Sequence, residues 1–422
     1  SMQVKNLDDL AAANALYRPG PMQYIEDFCR RRTGHASFEY THPDLEPILS
    51  KTYGIMVFQE QLIQIGRLAG LHNPDLLRKA TGKKDVKLMA KVKPELEAGL
   101  LARGWGRAQI DKLWLDMVEF SSYSFNKSHS YAYSMLAYLT AKQKAYYPAE
   151  FYVGLLNSYI GESSFVKDNA DEIVSDIFKH GINILPFDYR QDHRRCSVKD
   201  GGILYGIPLI KSLSQQAADQ VYYVSGMQFT HFWRLLKHLY ENGVNTAQMA
   251  ILIRLGFFKA FGSEAALSRV DSLYSDFYGK KQLDGSLAND SPIGQIIAKH
   301  STNIGKNGNV LKRRTIIDID AMMDDMEAEC TANTDNAMTY KEKADYQKEV
   351  LGFVSLLTGE QKDRPVLYIK AIYPAKRKAD GKVFGHNITA QSIGSGITTR
   401  YTIFNRVFDK DPLEAGDVIN CL

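Results

Sequence analysis

The sequence predicts an α+β chain of several domains, helical over most of its length and closing in a small β-barrel. Three observations carry this. Apolar residues recur at 3–4 spacing in segment after segment up to residue 357, the period of helices with one buried stripe. From Arg364 the period changes to two, with Asp380-Gly381 as a hairpin turn. The 422 residues exceed what one hydrophobic core organises, so roughly two to four domains are expected.

The helices follow in order. Residues 7–17 form a short one, stopped by Pro19-Gly20-Pro21, because proline lacks an N–H and glycine permits positive φ. Residues 43–50, 58–69, 74–80, 86–103 and 107–121 keep the helical period. Residues 129–146 make a long helix that ends before Pro148, and 149–158 make another. Residues 164–180 are amphipathic; 182–186 and 196–204 follow, with Gly201-Gly202 as a turn. Residues 229–278 are again helical. Residues 279–315 are rich in Gly, Asn, Ser and Lys without a clear period, which predicts a mobile insert or linker. Residues 318–329 crowd acids among methionines and read as an exposed acidic helix, either a solvated face or a partner surface. Residues 341–357 are helical, and 366–373, 383–392, 398–404 and 418–422 read as strands.

Composition narrows the function. Hydrophobic content of 45% and charged content of 24% are those of a globular protein. The net charge is only +4, so contact with nucleic acid must come from local patches. Cys29, Cys196, Cys330 and Cys421 lie far apart and form no metal-type spacing, which reads as free thiols in a reducing cytoplasm. No run of 18 apolar residues and no signal peptide is found, so a cytoplasmic protein without membrane contact is expected. Ser1-Met2 reads as a remnant of cloning, and the chain as a piece of a longer protein.

Two segments concentrate phosphate-handling chemistry. Tyr123-Ser-Phe-Asn-Lys-Ser-His-Ser-Tyr-Ala-Tyr133 sets Asn126, Lys127, Ser128 and His129 among Tyr123, Tyr131, Tyr133 and, just beyond, Tyr138. Lysine offers a point charge, serine and histidine offer hydrogen bonds, and tyrosine offers a flat face for a base. The same pattern also suits a helix with an aromatic core face and a polar cap. Residues 78–93 hold seven basic residues and one acid, Asp85, with Gly82 ahead of Lys83 and Lys84. Clustered cations release counterions from phosphates, though a solvated helix end has the same composition. Residues 207–221, Ile-Pro-Leu-Ile-Lys-Ser-Leu-Ser-Gln-Gln-Ala-Ala-Asp-Gln-Val, look like a helix-hairpin-helix. That motif uses a Gly-apolar-Gly hairpin to bring backbone N–H groups to a DNA phosphate. Here Ser212 and Ser214 replace both glycines beside Lys211, so close phosphate approach is in doubt, and a purely structural hairpin is the competing reading.

Five segments in order resemble the fingers region of the bacterial replicative DNA polymerase III alpha subunit, the C-family polymerases, over residues 7–157. They are Ala15-Leu-Tyr-Arg-Pro-Gly-Pro-Met22, Thr52-Tyr-Gly-Ile-Met-Val-Phe-Gln-Glu-Gln61, Leu77-Arg-Lys-Ala-Thr-Gly-Lys-Lys84, Phe125-Asn-Lys-Ser-His-Ser-Tyr-Ala-Tyr133 and Tyr147-Pro-Ala-Glu-Phe151. The C-terminal strand order resembles an OB-fold. The resemblance implies a fingers domain at 1–200, a helix-hairpin-helix domain at 201–278, an insert at 279–363 and an OB-fold at 364–422 that looks truncated. It implies a fragment of a DNA-directed DNA polymerase whose partners are dNTP, primer-template DNA and single-stranded DNA. Arg78, Lys83, Lys84, Lys127, Ser128 and His129 would hold phosphates, and among Tyr368, Phe384, Tyr401 and Phe404 some rings would stack on bases while others must fill the barrel. Arg18 would pin its loop, and Gln59, Glu60 and Gln61 would form a structural network. The Mg²⁺-binding aspartates of such an enzyme belong to a palm that resemblance puts before residue 7, so no catalytic residue and no metal is expected here; Asp318-Ile-Asp320 has the spacing but the wrong surroundings. A sliding-clamp contact is typical of the family, and Gln347-Lys-Glu-Val-Leu351 is a poor candidate for one. The divergence would suit a phage or prophage enzyme. A non-catalytic nucleic-acid-binding module or diverged accessory paralogue is the alternative, favoured by the lost hairpin glycines and the unusual insert.

Overall fold

The computed structural model describes residues 2–77, 79, 85–121, 124–305, 307–332, 338–355, 366–377, 381–392 and 396–420. The chain divides into two units, Ser1–Gln143 and Lys144–Leu422.

In the first unit Asn6 accepts a hydrogen bond from the Asp9 amide and starts helix α1, Leu7–Leu16. Gly20, at φ 102, turns the chain through the Pro-Gly-Pro stop into α2, Ile25–Arg32, which sequence periodicity did not reveal. Helices α3 (Gln59–Leu68), α4 (Val86–Ala102) and α5 (Arg107–Ser121) pack around Leu62, Ile65, Leu96, Leu100, Leu113 and Met117. Gly99 is required for that packing. A Cβ on it would come within 1.6 Å of the Ala69 carbonyl oxygen at the end of α3. A smaller core joins Ala11, Ala12, Ala15, Leu16 and Phe28 to Ile55, Val57 and Phe58. Helix α6, Lys127–Tyr146, starts in this unit and ends in the next.

In the second unit one core runs from Tyr152 to Phe353. It takes in α7 (Pro148–Ser158), α8 (Ala170–Lys179) and the hairpin β1 (Ser197–Lys199) and β2 (Gly202–Leu204). Asp200 and Gly201 close that hairpin at φ 47 and 76, the paired positive angles of a two-residue turn that matches strand twist. Helices α9 (Gln215–Ser225), α10 (Phe232–Glu241), α11 (Thr246–Arg254) and α12 (Glu264–Phe277) follow.

The segment expected as a mobile linker is instead built into this core. β3 (Gln282–Asp284), β4 (Ser301–Ile304) and β5 (Val310–Ile316) form an antiparallel sheet in the order β3-β5-β4, with α13, Pro292–Lys299, between β3 and β4. Of these elements only Leu283, Gly294, Ile297 and Ser301 are buried, so the composition shows no period although the backbone is paired.

The acidic helix is corrected too. In α14, Ile319–Ala332, Met322, Met323, Met326 and Cys330 are fully buried. Glu327, 7% exposed, accepts from the Phe232 and Trp233 amides at 2.7 and 2.9 Å, the open N–H groups at the start of α10. Asp324 accepts from the Trp233 indole at 2.7 Å and faces Arg234. These acids are acceptors, and the face is not a solvated one.

Thr339 and Glu342 cap α15, Tyr340–Leu351, reciprocally, and the helix ends at Gly352, φ 82, where a Cβ would meet the Val166 carbonyl at 2.2 Å. The last strands, β6 (Val366–Lys376), β7 (Val383–Ser392), β8 (Thr398–Phe404) and β9 (Val418–Asn420), make a curled antiparallel sheet in the order β8-β7-β6-β9, consistent with an OB-like topology. The sheet is buried on both sides at the start of β6, over Val366–Ile369. Leu367 and Ile369 face Ile388 and Ala390, while Val366 and Tyr368 pack on Ala344 and Val354.

Replacing Glu327 with Ala strands two buried amides, and a loss of about 2–4 kcal/mol is expected. Urea unfolding of the chain measures it, and a loss under about 0.5 kcal/mol would contradict the role given to this carboxylate.

Candidate nucleic-acid interface

The start of α6 is assembled from three parts of the first unit. Gln61 accepts from the Val57 and Phe58 amides at 2.8 and 2.9 Å and donates to Thr52 Oγ1 at 2.7 Å. This fixes the extended segment ahead of α3, and the Gln59 amide then donates to the Phe125 carbonyl at 2.8 Å. The carboxylate of Glu60 accepts from the Lys127 amide at 2.9 Å and from the Asn126 side chain at 3.3 Å. Asn126 in turn accepts from the His129 amide at 2.8 Å. The helix is anchored below by Ser130, whose hydroxyl donates to the Ala11 carbonyl at 2.6 Å, and by Tyr131, whose hydroxyl donates to Asp8.

This scaffold aims a set of cations. The Lys127 ammonium lies 5.4 Å from the Tyr131 ring centre and 5.9 Å from that of Phe58, held by the negative faces of two rings rather than by a carboxylate. The Arg18 guanidinium lies 4.7 Å over Phe125, and the His129 ring meets Phe125 edge-on at 5.7 Å. Ser128 and His129 are exposed, as are Tyr133 and Tyr138. The network expected of Gln61 and Glu60 therefore exists, and it supports the Lys127–His129 segment. Arg18 joins that segment through Phe125. The sequence carried no signal for this, since the two residues are remote in the chain. Arg78, Lys83, Lys84 and Tyr123 lie outside the described residues.

Beneath this segment Asp9 and Arg32 form a pair at 2.6 Å with both side chains nearly buried. Burial pushes the Asp9 carboxyl up, but the Arg32 guanidinium and the Lys5 amide outweigh it and hold the carboxyl below its ordinary value.

The hairpin of the second unit keeps its shape without glycine. Ile207–Leu209 is a single 3-10 turn, Ser212 takes φ 65, and Ser214 caps α9 by accepting from the Ala217 amide at 3.2 Å. The Lys211 amide donates to the Val350 carbonyl at 2.9 Å, and its ammonium lies 3.7 Å from Glu349. Serine thus occupies the left-handed conformation the motif needs, at some cost in strain.

In the C-terminal sheet Tyr401 is exposed, and Phe384 leans on the exposed Phe404 with ring centres 5.9 Å apart. Tyr368 is only 5% exposed, in contact with Val354, so its ring is a core ring and cannot stack on a base. Its neighbour in the pleat, Ile369, faces the sheet's other core, so both faces of β6 are covered over Val366–Ile369. Asp318 and Asp320 do not make a metal pair: Asp318 accepts from the Ala321 amide and Asp320 faces Arg234 at 3.5 Å. Among the described residues no group of three His, Cys, Asp or Glu is gathered that could hold a metal ion. Val350 and Leu351 are buried, so the segment from Gln347 is unsuited to a clamp. No helix among the described residues is long and apolar enough to cross a membrane.

The first unit carries cations and exposed rings at a helix start, and the second carries a serine-built hairpin ahead of α9 and a curled antiparallel sheet. Residues 1–104 match the family model of the bacterial DNA polymerase III alpha subunit finger domain, and residues 181–267 match the helix-hairpin-helix motif. The chain is 37% identical over 219 residues to the DNA polymerase III subunit alpha of Aquifex aeolicus, covering 50% of this chain and 18% of that protein. It is 38% identical over 277 residues to that of Thermus aquaticus, covering 63% and 22%, and 35% identical over 261 residues to that of Treponema pallidum, covering 61% and 22%. The match to bacterial DNA polymerase III alpha subunits is thus at the family level, and the chain spans about a fifth of the length of these relatives. All three are bacterial, so the phage or prophage source suited by the divergence has no support among them.

Two outcomes are expected. Ser212→Gly relieves the positive φ and raises stability by about 1 kcal/mol, read from the denaturation midpoint. Asp9 contributes stability that is present above the unfolded carboxyl value of 3.8 and is lost as pH falls through its lower folded value. Acid unfolding of Asp9→Asn should therefore lack that part of the transition.

Proposed function

We propose that this chain is the fingers-to-barrel part of a DNA-directed DNA polymerase, a nucleotidyltransferase, and that it holds the incoming dNTP and the primer-template while catalytic aspartates outside it perform the transfer. The observation that carries this is the set of Arg18, Lys127 and His129 around Phe125, Phe58 and Tyr131, on a helix start fixed by Glu60. Cations held over rings keep their full charge for a phosphate, and fixed donors stabilise charge that develops on the leaving pyrophosphate. The amide at the start of α6 already serves Glu60, so phosphate is held by side chains here and not by the helix terminus.

Arg78, Lys83 and Lys84 extend the phosphate-binding surface in this reading. Within the second unit the exposed rings of Tyr401 and Phe404 offer stacking faces for single-stranded DNA. The division into fingers at 1–200, hairpin domain at 201–278, insert at 279–363 and OB-fold at 364–422 belongs to the same proposal, with the insert sharing the core of the hairpin domain. The binding-module alternative leaned on the lost hairpin glycines. Ser212 at φ 65 weakens that argument.

In the polymerase completed with its palm, Lys127→Ala should lower primer extension by about 100-fold or more, with dNTP binding weakened and the unfolding midpoint unchanged. An unaltered extension rate would remove Lys127 from the site. A polymerase that extends normally only when this chain is omitted would overturn the reading as a whole.

A further inference from the structure

Two contacts tie the start of α6 to α1, and they are not equivalent. Ser130 is fully buried, and its hydroxyl donates to the Ala11 carbonyl at 2.6 Å. That bond already holds one helix to the other. Tyr131, the next residue, is only partly buried, and its hydroxyl donates to the Asp8 carboxylate in the first turn of α1. The Lys51 ammonium holds the other oxygen of Asp8 at 3.1 Å. What the second contact adds is the direction of a ring.

The two rings beside the Lys127 ammonium, Phe58 and Tyr131, have their centres 6.4 Å apart. Phe58 is 3% exposed in the small core with Ala11, Leu16 and Ile55, so burial fixes it. Tyr131 only packs against that core and is followed by exposed Ala132 and Tyr133. Its orientation therefore depends on the hydroxyl. A ring attracts a cation through its face, so a Tyr131 that turned away would free Lys127 from the nearer of its two rings. Donation to a carboxylate also polarises the phenol and deepens the negative face. We infer that Tyr131 and Asp8 are positioning residues for Lys127: Asp8, braced by Lys51, fixes the ring, and the ring fixes the ammonium for a nucleotide phosphate. A carboxylate against Lys127 would position it too but would neutralise it. Here the negative charge stands one ring away. The inference rests on the nucleotide-binding reading of the α6 start.

The test is primer extension by the polymerase completed with its palm, read as kcat/KM for dNTP, with thermal midpoints to verify folding. Tyr131→Leu should lower kcat/KM about 10-fold. Tyr131→Phe, which keeps the ring and loses its anchor, should lower it about 3-fold. Lys127→Ala/Tyr131→Leu should be no worse than Lys127→Ala alone, because the tyrosine acts through the lysine. Should Tyr131→Leu fail to fold, Tyr131→Phe carries the same cycle. Asp8→Ala should match Tyr131→Phe and add nothing to it. A structural role would not depend on Lys127, so losses that multiply in the double variant overturn the inference. So does a Tyr131→Leu enzyme that matches the parent, and a further loss on adding Asp8→Ala to Tyr131→Phe overturns the part given to Asp8. Lys127→Ala without effect would instead sink the nucleotide site itself, whereas a sensitive Lys127 with multiplying losses sinks the positioning role alone.

Discussion

A helix that starts inside a protein leaves amides that water no longer reaches, and each must find an acceptor. Among the described residues a carboxylate from far along the sequence closes two helix starts, one part-buried at α6 and one buried at α10. Glu60 closes the start of α6, and Glu327 closes the start of α10. Each contact is at once a hydrogen bond and a favourable charge at the positive end of a helix. Each also joins segments that no local rule would bring together. The first orients the Lys127–His129 segment, and the second ties the segment after β5 into the core of the hairpin region. Remove either and the loss is not confined to one bond, because two elements lose their mutual register.

The same constraint shapes what the α6 start can do. In many phosphate sites the helix terminus itself receives the anion. Here a carboxylate of the protein already sits at that position, so anion affinity must come from side chains, and Lys127 is poised for it. Its ammonium rests over two rings, which attract the charge without neutralising it as a carboxylate would. Arg18 is held in the same way over Phe125. Aromatic residues near cations are therefore part of the electrostatics of this segment as well as its packing.

Most of the helices and the four C-terminal strands were legible because their apolar residues repeat with one period. The 279–315 segment was not, because its strands are short and mostly exposed; what organises them is backbone pairing, which leaves little trace in composition. The acidic stretch misled for a related reason. A carboxylate reads as solvent-facing unless its amide partners are known, and those of Glu327 lie in α10. Tyr368 is among the rings that fill the core, a choice that alternation left open because it identifies two faces without saying that both are covered. Of the candidate site, the Lys127–His129 segment and the Gln61 network were legible from motif order, whereas Arg18's place depends on a turn at Gly20 whose direction no spacing encodes.

Helix α6 has one further consequence. From Met135 to Gln143 every residue is exposed, Leu136, Tyr138 and Leu139 among them. Such a stretch is held by its own hydrogen bonds and intrinsic propensity, without apolar burial, and a helix so held is marginal at this length. Its amides should open for hydrogen exchange by local fluctuation, long before either core yields.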